Sequence, residues 1–440
     1  MDRRTFIKGS AGTAATLALA ACGNKSNSGK GAASAALGEM AQNYEGVGLL
    51  GYGCMRWPMT KDAEGRDIID QEAVNQLVDH ALEHGVNYFD AAPIYLKGEC
   101  EEATSIALNR HPRDKWILAT KLSNFSKWDY ESSKKMYEES LRVFKTDYID
   151  YYLLHSLSGG SAFNTRFGET GIMDFLLEER RAGHIKHLGF SFHGDESGFD
   201  EMMALHDTYH WDFVQIQMNY IDWDYPGRRN SAASYLYEEL SKRDIPIVIM
   251  EPIRGGALAT LPQAQALKLK EREPDMSVAS WAFRYLGSFP KILTVLSGMS
   301  NMEHLNDNLS TYCNLKKLSE DEIDMLYEIA SDMENYPLIK CTGCEYCMPC
   351  PYGIDIPGIF RFYNKTINEG SYVRTSEQKD YAMAKRRYLL QYDKSVESAR
   401  QADHCISCGK CVSACPQHIP IPKELRRIDI YIEDLKQDRV

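Results

Sequence analysis

Four residues of the chain stand where acid–base chemistry needs them. Asp90 and Tyr95 lie in NYFDAAPIY, Lys121 in WILATK and His155 in YYLLH. A phenol with a pKa of about 10 is a poor acid at neutral pH. An ammonium beside it stabilises the phenolate, and a carboxylate buried beside that lysine keeps it charged and placed. A histidine orients a carbonyl oxygen. Together the four deliver a proton to an alkoxide as a hydride arrives at carbon. Singly, each has a plainer reading: Asp90 as a helix cap, Tyr95 as rim packing, Lys121 as a solvated cation, His155 as a satisfied polar group. Their succession at consecutive strand ends carries the chemistry.

A second chemistry lies near the end of the chain. Eight of the 12 cysteines fall in two runs. CTGCEYCMPCP places Cys341, Cys344, Cys347 and Cys350 at C-x2-C-x2-C-x2-C-P. CISCGKCVSACP places Cys405, Cys408, Cys411 and Cys415 at C-x2-C-x2-C-x3-C-P. Such regular spacing favours metal over disulfides. Zinc takes paired C-x2-C ligands, but soft thiolates, four to a run with proline after the last, favour two [4Fe–4S] clusters. Cys54, Cys100 and Cys313 stand apart, and Cys54 reads as a small filler on the first strand-end loop.

These groups need elements to position them. GVGLLGYG, VNYFDAA, WILATKL, YIDYYLLH, IKHLGFS, FVQIQMNY, IPIVIMEP and ILTVLSG read as strands. Amphipathic runs such as DQEAVNQLVDHALEHG and YESSKKMYEESLRVFK separate them, with apolar residues three and four apart. The alternation fits a (β/α)8 TIM barrel, in which chemistry gathers at the C-terminal ends of the strands. An open doubly wound sheet is the competing fold, and GVGLLG matches its G-x-G-x-x-G fingerprint. That motif must open a helix. Here YGCMRWP follows, so the glycines read as a turn and a tight first strand. The net charge of -12 argues against a nucleic-acid surface.

NYFDAAPIY, LATK and LLH resemble the corresponding segments of the aldo-keto reductase family, over about residues 45–315. The resemblance implies that Tyr95 is the proton donor, Asp90 and Lys121 its tuning pair, and His155 the carbonyl orienter. GFS and FVQIQ place Ser191 and Gln215 on the nicotinamide carboxamide. LSGMSNMEHLNDNL puts Asn308 on the adenine side, and Arg254 in EPIRGG approaches the pyrophosphate. The cofactor implied is NADP or NAD. Three positions depart from the family pattern: Phe192 replaces an amide donor, Met250 an aromatic that stacks on nicotinamide, and His304 an arginine that grips the 2′-phosphate. The cysteine runs resemble a helical two-cluster ferredoxin, whose fourth cysteine serves the other cluster. That implies Cys341, Cys344, Cys347 and Cys415 on one centre, and Cys405, Cys408, Cys411 and Cys350 on the other. GIDIPG and HIPIPKEL repeat after the two runs.

The N-terminus, MDRRTFIKGSAGTAATLALAACGNKS, resembles a twin-arginine export signal with a lipoprotein box. Arg3 and Arg4 form the pair, and Cys22 is the residue to be lipidated. The expected organisation is a signal over 1–22, a flexible tether over 23–43, a barrel over 44–315, a connecting helix over 316–336 and a helical dicluster ferredoxin-like domain over 337–440. The expected location is periplasmic or cell-surface, held to the membrane by N-terminal lipid only. The function expected is carbonyl/alcohol interconversion by hydride transfer, coupled to electron transfer through two clusters. The partners are a small-molecule carbonyl or alcohol and an external electron carrier. The alternative is a non-catalytic redox-sensing or electron-transfer protein on the same barrel. Trp57, Trp128, Phe163, Trp223 and Tyr225 lie in loops and are candidates for an aromatic substrate pocket, with core or rim packing an equally good reading for some of them.

Overall fold

The computed structural model describes residues 37–227 and 230–440. Arg3, Arg4, Cys22 and most of the expected tether lie outside them. Eight parallel strands close into a barrel: β1 (Leu50–Gly53), β2 (Tyr88–Asp90), β3 (Ile117–Leu122), β4 (Ile149–Leu157), β5 (Ile185–Phe192), β6 (Phe213–Gln217), β7 (Ile247–Met250) and β8 (Ile292–Ser297). Each pairs with the next, and β1 closes the ring against β8. Helices cover the outside, and their caps follow from sequence. Asp70 accepts from the Ala73 amide to start Gln71–Glu83, and Asp129 from the Ser132 amide to start Tyr130–Phe144. The glycine fingerprint belongs to packing. A Cβ on Gly48 would meet the Gly85 carbonyl oxygen at 2.4 Å, and one on Gly51 the Thr294 hydroxyl at 2.7 Å.

Side chains alternate faces along a strand. Tyr88, Ala119, Leu153, Phe213 and Val248 belong to one buried cluster drawn from five strands. Two positions further along the same faces come Asp90, Lys121, His155, Gln215 and Met250. The polar residues thus cap the stack of apolar side chains within the barrel, at its C-terminal end.

Two expectations about the flanks need correcting. Residues 37–43 are packed, not free: the Ala41 amide donates to the Tyr312 carbonyl at 3.1 Å, and Asn43 donates to the Phe289 and Ile292 carbonyls. Leu37 and Met40 supply the apolar contact that the polar composition of the tether concealed. The helix Glu320–Glu334 is more than a connector. Ile323, Leu326, Ile329 and Ala330 are buried in the core around the barrel.

Beyond it, residues 337–440 build their own core. The helices Ile356–Asn368, Tyr381–Ser395 and Ile421–Lys436 contribute Ile359, Phe360, Tyr388, Leu425 and Ile428. The GIDIPG and HIPIPKEL repeat has a structural counterpart. Each cysteine run is followed by a helix opening on Ile-Pro, Ile356–Pro357 and Ile421–Pro422, where proline fits because its missing N–H would be unpaired anyway. Among the described residues no helix is long and apolar enough to cross a membrane.

Candidate active site and cluster sites

Asp90 ends β2, Lys121 is next to last in β3 and His155 lies near the end of β4. Tyr95 follows β2 on a short turn. Leu96 and Lys97 there hold left-handed backbone at φ 50° and 58°, a cost of about 1–3 kcal/mol each that the fold accepts while directing the phenol inward. The four expected residues meet. Lys121 Nζ donates to Asp90 Oδ1 at 2.6 Å and to the Ala91 carbonyl at 2.9 Å. It lies 4.9 Å from the centre of the Tyr95 ring. Tyr95 and His155 meet edge to face, with centroids 5.8 Å apart. All are buried: Asp90 is 3% exposed, Lys121 1%, His155 3% and Tyr95 8%.

Burial sets the proton inventory. It holds the Tyr95 phenol well above its ordinary pKa, and the neighbouring Tyr346 phenol adds to the effect. Tyr95 therefore keeps its proton at neutral pH. Burial raises Asp90 too, opposed by Lys121. It drives His155 well below its usual value, helped by the Lys121 and Arg166 cations, so the imidazole is neutral. Two positioning groups were not singled out in the sequence. Ser123 Oγ lies 2.6 Å from His155 Nδ1 and fixes the ring. Arg166 donates to the His155 carbonyl at 2.7 Å and reaches Asn124.

The expected cofactor residues divide. Ser191 and Gln215 are register partners on β5 and β6. Ser191 Oγ accepts from the Ser156 amide at 2.8 Å, whereas Gln215 Oε1 is buried without a hydrogen-bond partner. An orphaned amide oxygen here fits the amino group of a carboxamide. Asn308 is buried further along, donating to Ser297 Oγ at 2.9 Å. Arg254 sits 3.5 Å from Asp222 Oδ1, with that nitrogen buried and without a hydrogen-bond partner. Of the departures, Phe192 is buried against Phe199, and His304 is exposed in the first turn of Met302–Tyr312.

Most of the expected aromatic pocket is core instead. Trp57 is buried on Tyr52 and donates to Thr104, Phe163 packs with Trp211, and Trp223 packs on Phe289. Trp128 is 41% exposed. Loop position in sequence does not say which side of a loop meets the core.

The cysteines converge as two sets. Cys341, Cys344, Cys347 and Cys415 line one pocket, together with Pro357, Phe360 and Ile421. Four thiols in an otherwise largely apolar pocket fit an iron–sulfur cluster. Cys411 has Cys405, Cys408 and Cys350 as its neighbours. The first set lies against the barrel mouth. Arg56 donates to the Thr342 carbonyl at 2.6 Å, Gln417 to Gln217 Oε1 at 2.8 Å, and Asn230 to the Pro416 carbonyl at 3.3 Å. Gln217 in turn donates to Asp222, which anchors Asn219 as well. Between Cys344 and Cys347, Tyr346 enters the site, its hydroxyl 3.1 Å from His155 Nε2.

With this geometry in place, comparisons with known proteins are informative. The model of the aldo/keto reductase family matches residues 49–331. That of a 4Fe-4S dicluster domain matches residues 337–419, and that of a TAT (twin-arginine translocation) pathway signal sequence matches residues 1–20. The chain is 28% identical over 282 residues to an uncharacterized oxidoreductase, YqkF, of Bacillus subtilis, spanning 57% of this chain and 85% of that one. It is 22% identical over 275 residues to L-galactose dehydrogenase of Arabidopsis thaliana, spanning 58% and 83%. Among solved structures it resembles the holo form of aldo-keto reductase AKR11C1 from Bacillus halodurans, with a TM-score of 0.51 and 22% identity over 64% of this chain and 92% of the other. An aldo/keto reductase from Klebsiella pneumoniae in complex with NADP and acetate gives a TM-score of 0.50 and 21% identity over 64% and 92%.

Proposed function

The chain belongs to the aldo/keto reductase family, and from that premise we propose that it interconverts a small carbonyl compound and its alcohol with NADP or NAD, exchanging electrons with two [4Fe–4S] clusters of its own. The observation that carries this reading is the meeting of Tyr95, Lys121, Asp90 and His155 at the mouth where the first cysteine set packs. When bound, nicotinamide would supply a hydride, and two clusters taking one electron each would match it, with the proton left over released to solvent. Ser191 and Gln215 would hold the carboxamide. Neutral His155, fixed by Ser123, orients the carbonyl oxygen. Tyr95 gives that oxygen its proton, and the Lys121 ammonium, held by Asp90, stabilises the phenolate left behind. In the reverse direction Tyr95 takes the proton from the alcohol. Residues 316–336 are assigned to the barrel unit, with 337–440 as the cluster unit.

The test uses anaerobic holoprotein with oxidised clusters. Stoichiometric NADPH is expected to produce the paramagnetic signal of reduced clusters. Added 4-nitrobenzaldehyde is then expected to erase it in wild type and not in Tyr95→Phe. Clusters that stay oxidised while NADPH is bound would reduce residues 337–440 to a docking role. One observation favours the second reading, a redox-sensing or electron-transfer protein on this barrel: Tyr346 already sits on His155. Aldehyde turnover without any cluster signal, or the signal without turnover, separates the two.

Export by the twin-arginine route follows from residues 1–20. Arg3→Lys with Arg4→Lys is expected to leave the precursor in the cytoplasm, on fractionation, because the export receptor reads the arginine pair. The lipid anchor at Cys22 is part of the proposal. Cys22→Ala is expected to be exported yet recovered in the soluble fraction, and membrane-bound mature Cys22→Ala would remove the anchor.

A further inference from the structure

Tyr346 is placed where no barrel residue is needed. Its hydroxyl lies 3.1 Å from His155 Nε2, and its phenol neighbours that of Tyr95. Those are the two groups assigned above to a carbonyl oxygen. Its ring stands edge-on to His155, centroids 6.2 Å apart, and Phe125 covers another side of the imidazole at 5.1 Å. Tyr95 and His155 are consequently shut from solvent. A carbonyl oxygen cannot reach His155 Nε2 while a phenol oxygen holds that place.

We propose that Tyr346 is a gate that the substrate displaces, its phenol oxygen standing in for the carbonyl oxygen until a carbonyl, alcohol or carboxylate takes the place. This rests on the reductase reading of the barrel and adds a residue that governs access to it. The gate is built into the loop that wraps the first cluster site, since Tyr346 lies two residues after Cys344 and one before Cys347. The loop is pinned at its base. Arg56 holds the Thr342 carbonyl, and Gly255, at φ 65°, packs so closely that a Cβ would lie 2.0 Å from the Thr342 oxygen. The base stays docked through backbone contacts, while Tyr346 itself is held at its tip by a neutral hydrogen bond to His155, which a ligand oxygen replaces in kind. The space vacated is that of a six-membered ring, so the ligands best matched to it carry a ring of that size next to the reacting oxygen.

A site occupied by its gate nine times in ten loses about tenfold in apparent affinity. The experiment uses full-length holoprotein with NADP bound. Isothermal titration with 4-nitrobenzoate compares wild type, Tyr346→Ala and Tyr346→Phe, with iron content measured on each. Steady-state NADPH oxidation with 4-nitrobenzaldehyde runs in parallel. Tyr346→Ala is expected to bind 4-nitrobenzoate about tenfold more tightly and to lower KM for the aldehyde, with Tyr346→Phe changed less in the same direction. If Tyr346→Ala loses iron, Tyr346→Phe decides alone. Unchanged or weaker binding in the deciding variant overturns the gate. Tighter binding of 4-nitrobenzoate with no NADPH oxidation by any variant upholds the gate and sinks the reductase reading, so the two fail separately.

Discussion

Tyr95→Phe is expected to lower kcat for carbonyl reduction by about 10²–10⁴-fold, the usual worth of a positioned proton donor. NADPH affinity should stay within about twofold, because the substitution touches no group assigned to the cofactor. The ring remains, and with it the Lys121 contact at 4.9 Å. What disappears is the proton. Burial keeps the phenol protonated well past neutrality, so the wild-type reduction rate should not fall from Tyr95 titration below about pH 10. Single-turnover stopped flow with 4-nitrobenzaldehyde measures the loss, and an unaltered rate would remove Tyr95 from the chemistry. Lys121→Met tests the same site less cleanly. It would strand Asp90, whose Oδ2 already lacks a hydrogen-bond partner, and breaking a buried pair costs about 3–5 kcal/mol. Its activity loss would therefore mix chemistry with stability, where Tyr95→Phe isolates the proton.

The parts of this site that were legible are those encoded by local rules. Asp90, Lys121 and His155 each sit two residues beyond an apolar residue of the barrel's inner stack, and period-two alternation reads that off the chain. The cysteine runs announce themselves because a metal needs thiols at fixed local spacing. Tyr346 was not legible. It stands in plain view in CEYC, but its role depends on the loop folding back onto a histidine 191 positions earlier, and no periodicity spans such a distance. Ser123 escaped for a related reason, being one of many serines near a strand end until His155 is placed beside it. The aromatic pocket failed because a tryptophan in a loop is as ready to pack inward as to face a ligand, as Trp57 and Trp223 do.

Cluster ligation makes the second large prediction. Holoprotein prepared anaerobically is expected to carry about eight irons and eight labile sulfides, and Cys415→Ala and Cys350→Ala each about half of that. Iron content alone does not distinguish crossed from uncrossed ligation, since either variant loses one centre. The difference lies in which centre goes. Cys415 shares its cavity with Cys341, Cys344 and Cys347, beside the barrel, whereas Cys350 neighbours Cys411. Losing the Cys415 centre should loosen the loop that carries Tyr346, which keeps the Arg56 and His155 hydrogen bonds, worth about 0.5–3 kcal/mol each. Amide exchange over residues 341–348 is then expected to quicken in Cys415→Ala and to stay near wild type in Cys350→Ala. Uncrossed ligation, each run holding its own cluster, predicts the reverse, because Cys350 would then complete the centre around that loop. Stoichiometric zinc without sulfide would defeat both versions. The exchange pattern also links the two ends of the chain's chemistry: if the loop loosens only when the barrel-side centre is lost, the cluster holds Tyr346 on His155 as well as carrying electrons.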